Sequence, residues 1–324
     1  VYKRQGMDIA FSDRGTTFNL RGAYLKTDLD ERGAEFRAML QIGESAGIFV
    51  DYFKPLDDRL RYSFHPNAFY LKRPLYIFDQ DGDALSEVEL NEYGGAVSLT
   101  REFSRYARAT VGYSRYSGDM DITVGNPNLQ PFDFDGGELY LELEYDRLDD
   151  RYLPTRGLYS ELQYTDSVES LGADVDFDQV TFSLFSSHTF GRHNLIWGGQ
   201  YNISLDEDAP IYGWYTAGGF LNMSGYEANS LIGPNYGMLL AGYRFQVAQS
   251  GFLPGYVGST LEYGNVSADR DDVFSDGRLN GSFYFAYKTP LGPVYLGLGW
   301  SEDRHPIYFL RFGSVFGARS FGRN

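Results

Sequence analysis

The sequence predicts an all-β protein, a transmembrane antiparallel β-barrel of about 16 strands, an even number of the kind that bacterial barrels use. Three observations predict this class. Aromatic residues make up 17% of the 324 residues, with 27 Tyr and 25 Phe, and Tyr rings suit the girdles at the two membrane interfaces. Apolar and polar residues alternate with a period of two along most of the chain. Short and long connections also alternate, as they do between the two ends of a membrane barrel.

The alternation gives each strand an apolar face and a polar face. In residues 138–146, the apolar face carries Leu139, Leu141, Leu143 and Tyr145, and the other face carries Glu138, Glu142 and Glu144. Residues 294–300 alternate in the same way. A soluble β-sandwich also has one apolar face, so alternation alone does not distinguish it from a barrel. The connection lengths favour the barrel.

The predicted strands cover residues 7–12, 16–28, 33–43, 47–57, 60–78, 85–102, 106–117, 133–148, 157–166, 174–190, 193–205, 237–248, 256–267, 279–289, 293–301 and 306–316. Every second connection is short, as at 58–59 and 191–192, whereas 118–132 and 206–236 are long and polar. With both termini in the periplasm, 206–236 is the sixth external loop. Several strands exceed the roughly 9–11 residues that cross a bilayer, so we expect some hairpins to project beyond it.

One barrel accounts for nearly the whole chain. We assign residues 1–6 to a linker or remnant, 7–316 to the barrel and 317–324 to a C-terminal tail. The chain begins without Met and without the apolar segment of a signal peptide, so we expect it to be a fragment of a longer secreted protein. The C-terminal assembly signal is expected in the series Tyr308, Leu310, Phe312 and Phe316.

Composition excludes several classes of function. The net charge of -16 argues against nucleic acid as a partner, because its phosphates would be repelled. The acidity is compatible with loops that face lipopolysaccharide bridged by divalent cations. Cysteine is absent, which removes disulfides and thiol chemistry. No apolar run approaches the roughly 20 residues of a membrane helix.

Two serine motifs raise the question of hydrolysis. Residues 43–47 match the G-x-S-x-G nucleophile elbow around Ser45, and Asp135 opens the Asp-Gly-Gly of patatin-type lipases. An elbow must lie between a strand and a helix, whereas the segments on both sides of Ser45 look like strands. Ser187 and His188 are adjacent in one strand and lack a neighbouring acidic partner. We therefore predict no enzyme active site in the barrel.

Metal motifs are equally incomplete. Residues 79–83 resemble the start of a calcium loop, but the sixth position is Ala84 where Gly is needed, and the twelfth is Leu90 where Glu belongs. The Asp-Gly pair in this segment is more simply a turn. No Cys or His cluster has zinc spacing. We predict neither a metal nor a cofactor.

The segment 146–157 is the most specific motif. It carries Asp146, Asp149, Pro154 and Gly157 in a D-x-x-D…P-x-x-G pattern and joins two alternating strands at a periplasmic position. This pattern resembles the signature of the bacterial surface-antigen barrel superfamily. That superfamily includes outer-membrane assembly insertases, two-partner secretion transporters and patatin-like autotransporters.

The resemblance covers essentially the whole chain after Gly6. The sixth loop contains Gly218, Gly219, Ser224, Gly225 and Tyr226 where the family has a hydrophobic-Arg-Gly-aromatic tip, and residues 260–264 resemble the facing strand motif, with Glu262 in its acidic position. Residues 20–22, 33–37, 40–43, 52–56, 261–266 and 289–293 resemble the patatin-like autotransporter branch, which carries out type Vd secretion.

One departure from the family pattern leads to a structural prediction. Ser224 replaces the tip arginine, which leaves Glu262 without the partner that the resemblance implies. Alternation directs both Arg244 and Glu262 inward, and a turn centred near Gly251 and Phe252 would set them about one diagonal apart. A long Arg side chain can span a diagonal of roughly 7–8 Å. We therefore predict an inward ion pair between Arg244 and Glu262.

The resemblance implies the translocator barrel of a patatin-like autotransporter in the outer membrane of a Gram-negative bacterium. It would secrete or anchor an N-terminal lipase passenger, through the lumen or through a seam between the first and last strands. The expected partners are that passenger, outer-membrane lipid and lipopolysaccharide, and the barrel-assembly machinery, and a homodimer is compatible. The alternatives are an insertase for other barrels, a lipolytic enzyme and a passive porin.

Overall fold

The computed structural model describes residues 2–12, 15–78, 84–125, 130–150, 152–206, 209–248, 255–289, 292–302 and 304–313. Sixteen strands form a closed antiparallel barrel in which each strand pairs with its neighbours in the chain, and β1 closes on β18. Two further strands, β12 and β13, form a separate two-stranded sheet between β11 and β14. The predicted fold class is therefore confirmed.

The barrel strands are β1 (Tyr2–Ser12), β2 (Gly15–Lys26), β3 (Glu35–Gly43), β4 (Ala46–Pro55), β5 (Tyr62–Phe78), β6 (Ala84–Ser104), β7 (Ala107–Gly125), β8 (Phe132–Asp146), β9 (Gly157–Ser167), β10 (Phe177–Phe190), β11 (His193–Ser204), β14 (Asn235–Ala248), β15 (Gly255–Ser267), β16 (Arg278–Thr289), β17 (Gly292–Ser301) and β18 (Arg304–Phe312). The small sheet is β12 (Tyr215–Ala217) and β13 (Leu231–Gly233). Short helical turns lie at Glu169–Leu171, Ile211–Gly213 and Asp272–Ser275.

Some boundaries differ from the sequence prediction. Residues 2–6 were expected in a linker but belong to β1, because they pair with β2 in register from Tyr2 and Leu25 onward. The small sheet within the sixth loop was not predicted, since strands of three residues carry too little alternation to detect. The expected tail 317–324, the terminal Phe316 of the assembly-signal series and the calcium-loop candidate at 79–83 lie outside the described residues.

The outer face of the barrel is apolar. Leu139, Leu141 and Leu143 on β8 are 45%, 43% and 45% exposed, whereas Glu138 and Glu142 on the same strand are 3% and 2% exposed. In water this arrangement would be inverted, because large apolar side chains are normally buried and carboxylates exposed. It is the arrangement of a membrane barrel, with lipid against its outer wall. Among the described residues, no helix has the length and apolar character needed to cross a membrane.

The two ends of the barrel differ. β1 begins and β18 ends at one end, here called the termini end, whereas the sixth loop leaves from the other, the loop end. β5, β6 and β7 have 17, 21 and 19 residues, more than the roughly 9–11 that cross a bilayer, and their additional residues lie at the loop end. Leu75, Val88 and Tyr116 on their inner surface belong to one apolar cluster with the start of the sixth loop. In the same cluster, Phe134 of β8 stacks on Tyr212 of the loop with ring centroids 4.3 Å apart.

Candidate functional site: the sixth loop and the wall that holds it

The sixth loop connects β11 to β14 and enters the barrel as a hairpin. β12 and β13 pair from Tyr215–Gly233 to Ala217–Leu231, and residues 218–230 form the tip between them. Gly218 has φ 115°, and a Cβ on it would lie 1.8 Å from the carbonyl oxygen of Glu227. Only glycine fits such a position without strain. Gly218 therefore allows the hairpin to close tightly at the base of its tip.

The tip is held by its own backbone. The Gly219 nitrogen donates to the Tyr226 carbonyl at 2.8 Å, and the Tyr226 nitrogen donates to the Met223 carbonyl at 2.9 Å. Leu221 and Met223 have positive φ angles of 64° and 71°, a conformation that non-glycine residues seldom adopt. The surrounding hydrogen bonds thus keep the tip in one compact shape, and Ser224 lies within it.

Ser224 binds the carboxylate of Glu262 on β15. The Ser224 backbone nitrogen lies 2.6 Å from one carboxylate oxygen, and its hydroxyl donates to the other at 2.7 Å. The Thr260 hydroxyl donates to this second oxygen at 2.9 Å. Glu262 is fully buried, and a buried carboxylate needs such donors because it has lost its water. The backbone amide and the hydroxyl of Ser224 thus tether the loop to the wall.

The predicted ion pair between Arg244 and Glu262 is wrong. Both side chains point inward, as expected, but Arg244 pairs with Gly258 and Leu240 pairs with Glu262. The two residues are therefore four positions apart along the strands, about 13 Å at 3.3 Å per residue, instead of one diagonal. The observed register agrees with the assumed turn near residues 251–252, apart from a bulge between Gln246 and Ala248. The prediction failed because it underestimated the offset that this turn imposes between Arg244 and Glu262.

Arg244 instead binds the turn that carries the most specific sequence motif. Its Nε donates to the Asn194 side chain at 2.8 Å, and its terminal nitrogen donates to the Pro154 carbonyl and reaches the Ser187 hydroxyl at 3.4 Å. Within the described ranges, no carboxylate oxygen lies within 4.0 Å of Arg244. A guanidinium 1% exposed is thus held by neutral acceptors.

The turn 146–157 is ordered by its acidic residues. One oxygen of Asp149 accepts the backbone N–H groups of Thr155 and Arg156 at 2.8 and 2.9 Å, and Asp146 accepts that of Leu148 at 3.0 Å. Gly157 has φ 115°, and a Cβ there would lie 2.1 Å from the Arg147 carbonyl oxygen. The four motif residues thus belong to one turn, and Pro154 exposes its carbonyl to the wall.

This turn folds into the barrel at the termini end. Leu153 is 1% exposed and belongs to the same apolar cluster as the loop residues Phe220, Met223 and Tyr226. Tyr295 on β17 donates its hydroxyl to the Tyr152 carbonyl at 2.9 Å. The lumen is therefore filled from both ends, by the sixth loop and by the turn.

Phe220 brings the loop against the last strand. Its ring stacks on Phe309 of β18 at 4.4 Å and contacts Tyr284 and Tyr295 at 5.0 and 5.4 Å between centroids. Buried aromatic contacts of this kind contribute about 0.5–1.5 kcal/mol each beyond the area they bury. The apolar tip is therefore fixed to the wall independently of the Ser224–Glu262 contact.

Glycines let the tip approach β17 closely. A Cβ on Gly225 would lie 2.4 Å from the Trp300 carbonyl oxygen, and a Cβ on Gly299 would lie 1.7 Å from the Ser224 carbonyl oxygen. Next to them, the Tyr226 ring lies under the guanidinium of Arg304, 4.7 Å from its centroid. The tip is thus held against β17 by close backbone contact and not by a long side chain.

The seam between the first and last strands is short within the described part of the chain. There, residues 7–11 pair with residues 312–308, which gives five residue pairs, compared with eleven between β1 and β2. The sixth loop touches both seam strands, because Ser12 on β1 donates to Glu227 and Arg304 on β18 stacks on Tyr226. Two consecutive loop residues therefore contact the two strands that close the barrel.

The structure does not bring the candidate hydrolytic residues together. Ser45 lies in the turn between β3 and β4, with its backbone nitrogen on Asn19, whereas the carboxylate of Asp135 binds Ser117 and Arg115. Ser187 is fully buried and donates to the Pro154 carbonyl, and the next residue, His188, is exposed on the opposite face of the strand. Neither pair has the geometry of a nucleophile and its base.

One group of acidic side chains was missed by the sequence analysis. Carboxylate oxygens of Glu142, Glu144 and Glu161 lie within 4.8 Å of one another on the inner wall. Arg108 lies 2.6 Å from Glu144 and 4.0 Å from Glu142, so an internal cation already compensates part of this charge. The group forms because β8 pairs with β9, so no local sequence motif predicts it.

These features define a class of protein: an outer-membrane β-barrel of 16 strands whose sixth loop is tethered inside the lumen to an acidic wall residue. The chain belongs to the Omp85 superfamily, since the Omp85 superfamily domain matches residues 10–305.

Several solved structures have a similar fold. BamA from Haemophilus ducreyi lacking POTRA domains 1–3 is 12% identical with a TM-score of 0.72, over 95% of this chain and 69% of that one. CdiB from Acinetobacter baumannii is 11% identical with a TM-score of 0.62, over 95% and 59%. CdiB from Escherichia coli is 10% identical with a TM-score of 0.63, over 95% and 62%.

At these identities the likeness establishes the fold alone. The chain spans about three fifths of the length of either CdiB structure. A comparison with curated protein sequences finds no match.

Proposed function

We propose that this barrel is a protein translocator that secretes or anchors an N-terminal patatin-like lipase passenger across the outer membrane, with both termini in the periplasm. The observation that carries the proposal is the seam of five residue pairs, with the sixth loop bound to both of its strands. Support for the patatin-like branch comes from the sequence motifs at 33–37, 52–56, 261–266 and 289–293.

The filled lumen restricts the possible routes. Phe220 and Met223 from the loop and Leu153 from the turn are buried in one cluster, so no chain passes along the axis while both stay in position. A passenger must therefore displace the loop tip or part the wall. The same obstruction disfavours a passive porin.

Among the described residues, the seam has fewer residue pairs than any other pair of neighbouring barrel strands. Opening five pairs exposes backbone N–H and C=O groups to lipid, where each unsatisfied group costs several kcal/mol. An incoming strand that pairs with β1 or β18 would offset this cost by β-augmentation. A polypeptide substrate is thus the kind of ligand that this site can accept.

An insertase that assembles other barrels is the second candidate, because it would use the same seam. The two functions differ in their substrate. A translocator acts on the segment attached to its own N-terminus, whereas an insertase acts on other chains. In either case, outer-membrane lipid, lipopolysaccharide and the assembly machinery are the proposed partners.

The test is to lock the seam in the full-length protein. Phe11 and Tyr308 are paired across the seam and both face outward, so cysteines at these positions can be oxidised without entering the lumen. The control pair is Phe283 and Leu298, which face each other across β16 and β17.

The readout is the surface exposure of the segment that precedes the barrel, measured on cells by protease accessibility and by surface lipase activity. We expect oxidation of the seam pair to abolish exposure and reduction to restore it, while the control pair has no effect. Normal exposure with a locked seam would contradict the proposal. Loss of other outer-membrane barrels in the locked cells would support the insertase instead.

A further inference from the structure

A basic and aromatic group lies on the outer face of the barrel at its termini end. The turn between β6 and β7 places Tyr106 beside the last residues of β8, and the rings of Tyr106 and Tyr145 have centroids 6.4 Å apart. The guanidinium of Arg105 lies 5.3 Å from the Tyr106 ring centroid, and that of Arg147 lies 5.5 Å from the same centroid. Two cations therefore converge on one ring.

A third arginine adjoins this group. Arg101 on β6 lies 4.9 Å from the centroid of Phe103 and 5.7 Å from that of Tyr62. Arg101 shares the outward face of β6 with Leu99, which is 43% exposed. Interfacial aromatic rings of this kind mark the level of the lipid headgroups in membrane barrels.

These three arginines lack an acidic partner in the described part of the chain. No carboxylate oxygen lies within 4.0 Å of Arg101, Arg105 or Arg147, whereas nearby arginines are paired, Arg61 with Asp57 and Arg108 with Glu144. Two like charges at one ring repel each other, and a cation–π contact compensates only about 0.5–1 kcal/mol at an exposed site. An anion between them would relieve the repulsion.

The wall above the arginines is suited to acyl chains. Arg101 is level with Ala109 on β7 and Leu143 on β8, and the next outward row is Leu99, Val111 and Leu141. The lipid-facing side at the loop end is more acidic, with Asp119 paired across from Asp133 and Asp166 across from Asp178. Its cations Lys72 and Arg115 form ion pairs with Glu89 and Asp135, whereas the arginines at the termini end lie directly below an apolar surface without such partners among the described residues.

We propose that Arg105 and Arg147, with Arg101 beside them, bind the phosphate of an anionic phospholipid, whose acyl chains lie on the apolar rows of β6, β7 and β8. Guanidinium groups suit this ligand because their planar donors match phosphate oxygens. The site anchors the rim of the barrel in the leaflet at the termini end. It is independent of translocation, since it requires only that the barrel spans a membrane.

The experiment measures which lipid the barrel retains. The purified barrel is placed in nanodiscs of equal parts phosphatidylglycerol and phosphatidylcholine, released into detergent, and examined by native mass spectrometry for bound lipid. The test variant is Arg105→Gln with Arg147→Gln. The control is Arg32→Gln with Arg192→Gln, which removes two exposed arginines from other turns at the same end.

We expect the wild type and the control to retain phosphatidylglycerol in preference to phosphatidylcholine. Each basic residue near an anionic lipid surface contributes about 1 kcal/mol. In the test variant, the ratio of retained phosphatidylglycerol to phosphatidylcholine should therefore fall by roughly five- to thirty-fold. Tyr106→Leu should weaken it while Tyr106→Phe, which keeps the ring, should not. A difference in gel mobility between unheated and heated samples confirms that each variant is folded.

Four results would overturn the site. The first is a wild type without a preference for phosphatidylglycerol, and the second is a test variant that keeps it. The third is an equal loss in the control, which would indicate a general effect of net charge. Displacement of the lipid by inorganic phosphate alone would also contradict the proposal, because a free-anion site would need no acyl chains.

Discussion

The carboxylate of Glu262 on β15 accepts one hydrogen bond from the backbone of Ser224 and another from its hydroxyl, at 2.6 and 2.7 Å. A small neutral residue thus occupies the position at which the sequence resemblance implies an arginine. The tether depends on close approach, since Gly299 leaves room for the Ser224 carbonyl. It holds the sixth loop inside the lumen without an ion pair.

Ser224→Ala should weaken the tether but not abolish it. The variant loses the hydroxyl that donates to Glu262 and accepts from the Leu221 nitrogen, while the backbone hydrogen bond remains. Removing one partner of a buried hydrogen bond costs about 1–3 kcal/mol, so urea titration of the refolded barrel should show this loss. Ser259→Ala, on the outward face of the same strand, should change stability by less than about 0.5 kcal/mol. Equal effects of the two changes would refute the tether.

The sequence predicted the strands and their two faces because alternation is a local property that each strand carries by itself. It also located Glu262, Ser224 and the motif turn. The partner of Glu262 could not be predicted, because the contact depends on how the loop folds inside the lumen. The turn between β14 and β15 was placed correctly, but the offset between Arg244 and Glu262 that follows from it is four positions, which was underestimated. The actual partners of Arg244, Asn194 and Pro154, are distant in sequence, so no local pattern indicates them.

Leu141→Arg tests the lipid face. Leu141 is 43% exposed on the outer wall, and an arginine near the middle of the bilayer should cost about 2–4 kcal/mol. Glu142→Gln, one residue further on and directed inward, keeps the size of the side chain and should be tolerated. Denaturant titration of both refolded variants makes the comparison. A similar loss for both would contradict the assignment of inner and outer faces.

Arg244→Lys tests the link between the wall and the motif turn. A lysine keeps the charge but lacks the two separate nitrogen donors with which the guanidinium binds Asn194 and Pro154. The loss of a hydrogen bond from a charged group costs about 1.5–3 kcal/mol, and protease cleavage within 146–157 should become faster. Arg192→Lys is the control, since Arg192 also binds backbone carbonyls but is exposed. Unchanged cleavage in Arg244→Lys would exclude the link.

The turn should also respond to acid through Asp150. Burial acts to raise the pKa of this carboxyl, but the ion pair with Lys288 and the backbone N–H groups of Leu153 and Tyr152 outweigh it and lower the pKa below its ordinary value of 3.8. A lowered pKa in the folded state stabilises the protein above about pH 3.8, and this contribution is lost as the pH falls through the folded pKa.

The stability difference between the wild type and Asp150→Asn should therefore shrink as the pH drops below about 3.8. Urea titrations at several pH values measure it, and Lys288→Gln should reduce the difference at neutral pH. A difference that does not depend on pH would mean that Asp150 contributes through its shape and not through its charge.

The most direct test of the translocator account is the width of the seam during passage. Spin labels at Phe11 and Tyr308, which pair across the seam, report the distance between β1 and β18. Labels at Phe283 and Leu298 report on an ordinary strand pair. Electron–electron double resonance gives the distribution of distances between the two labels. With a passenger stalled in the full-length protein, the account predicts a longer mean distance and a broader distribution at the seam only. An unchanged seam distance with the passenger stalled would contradict it.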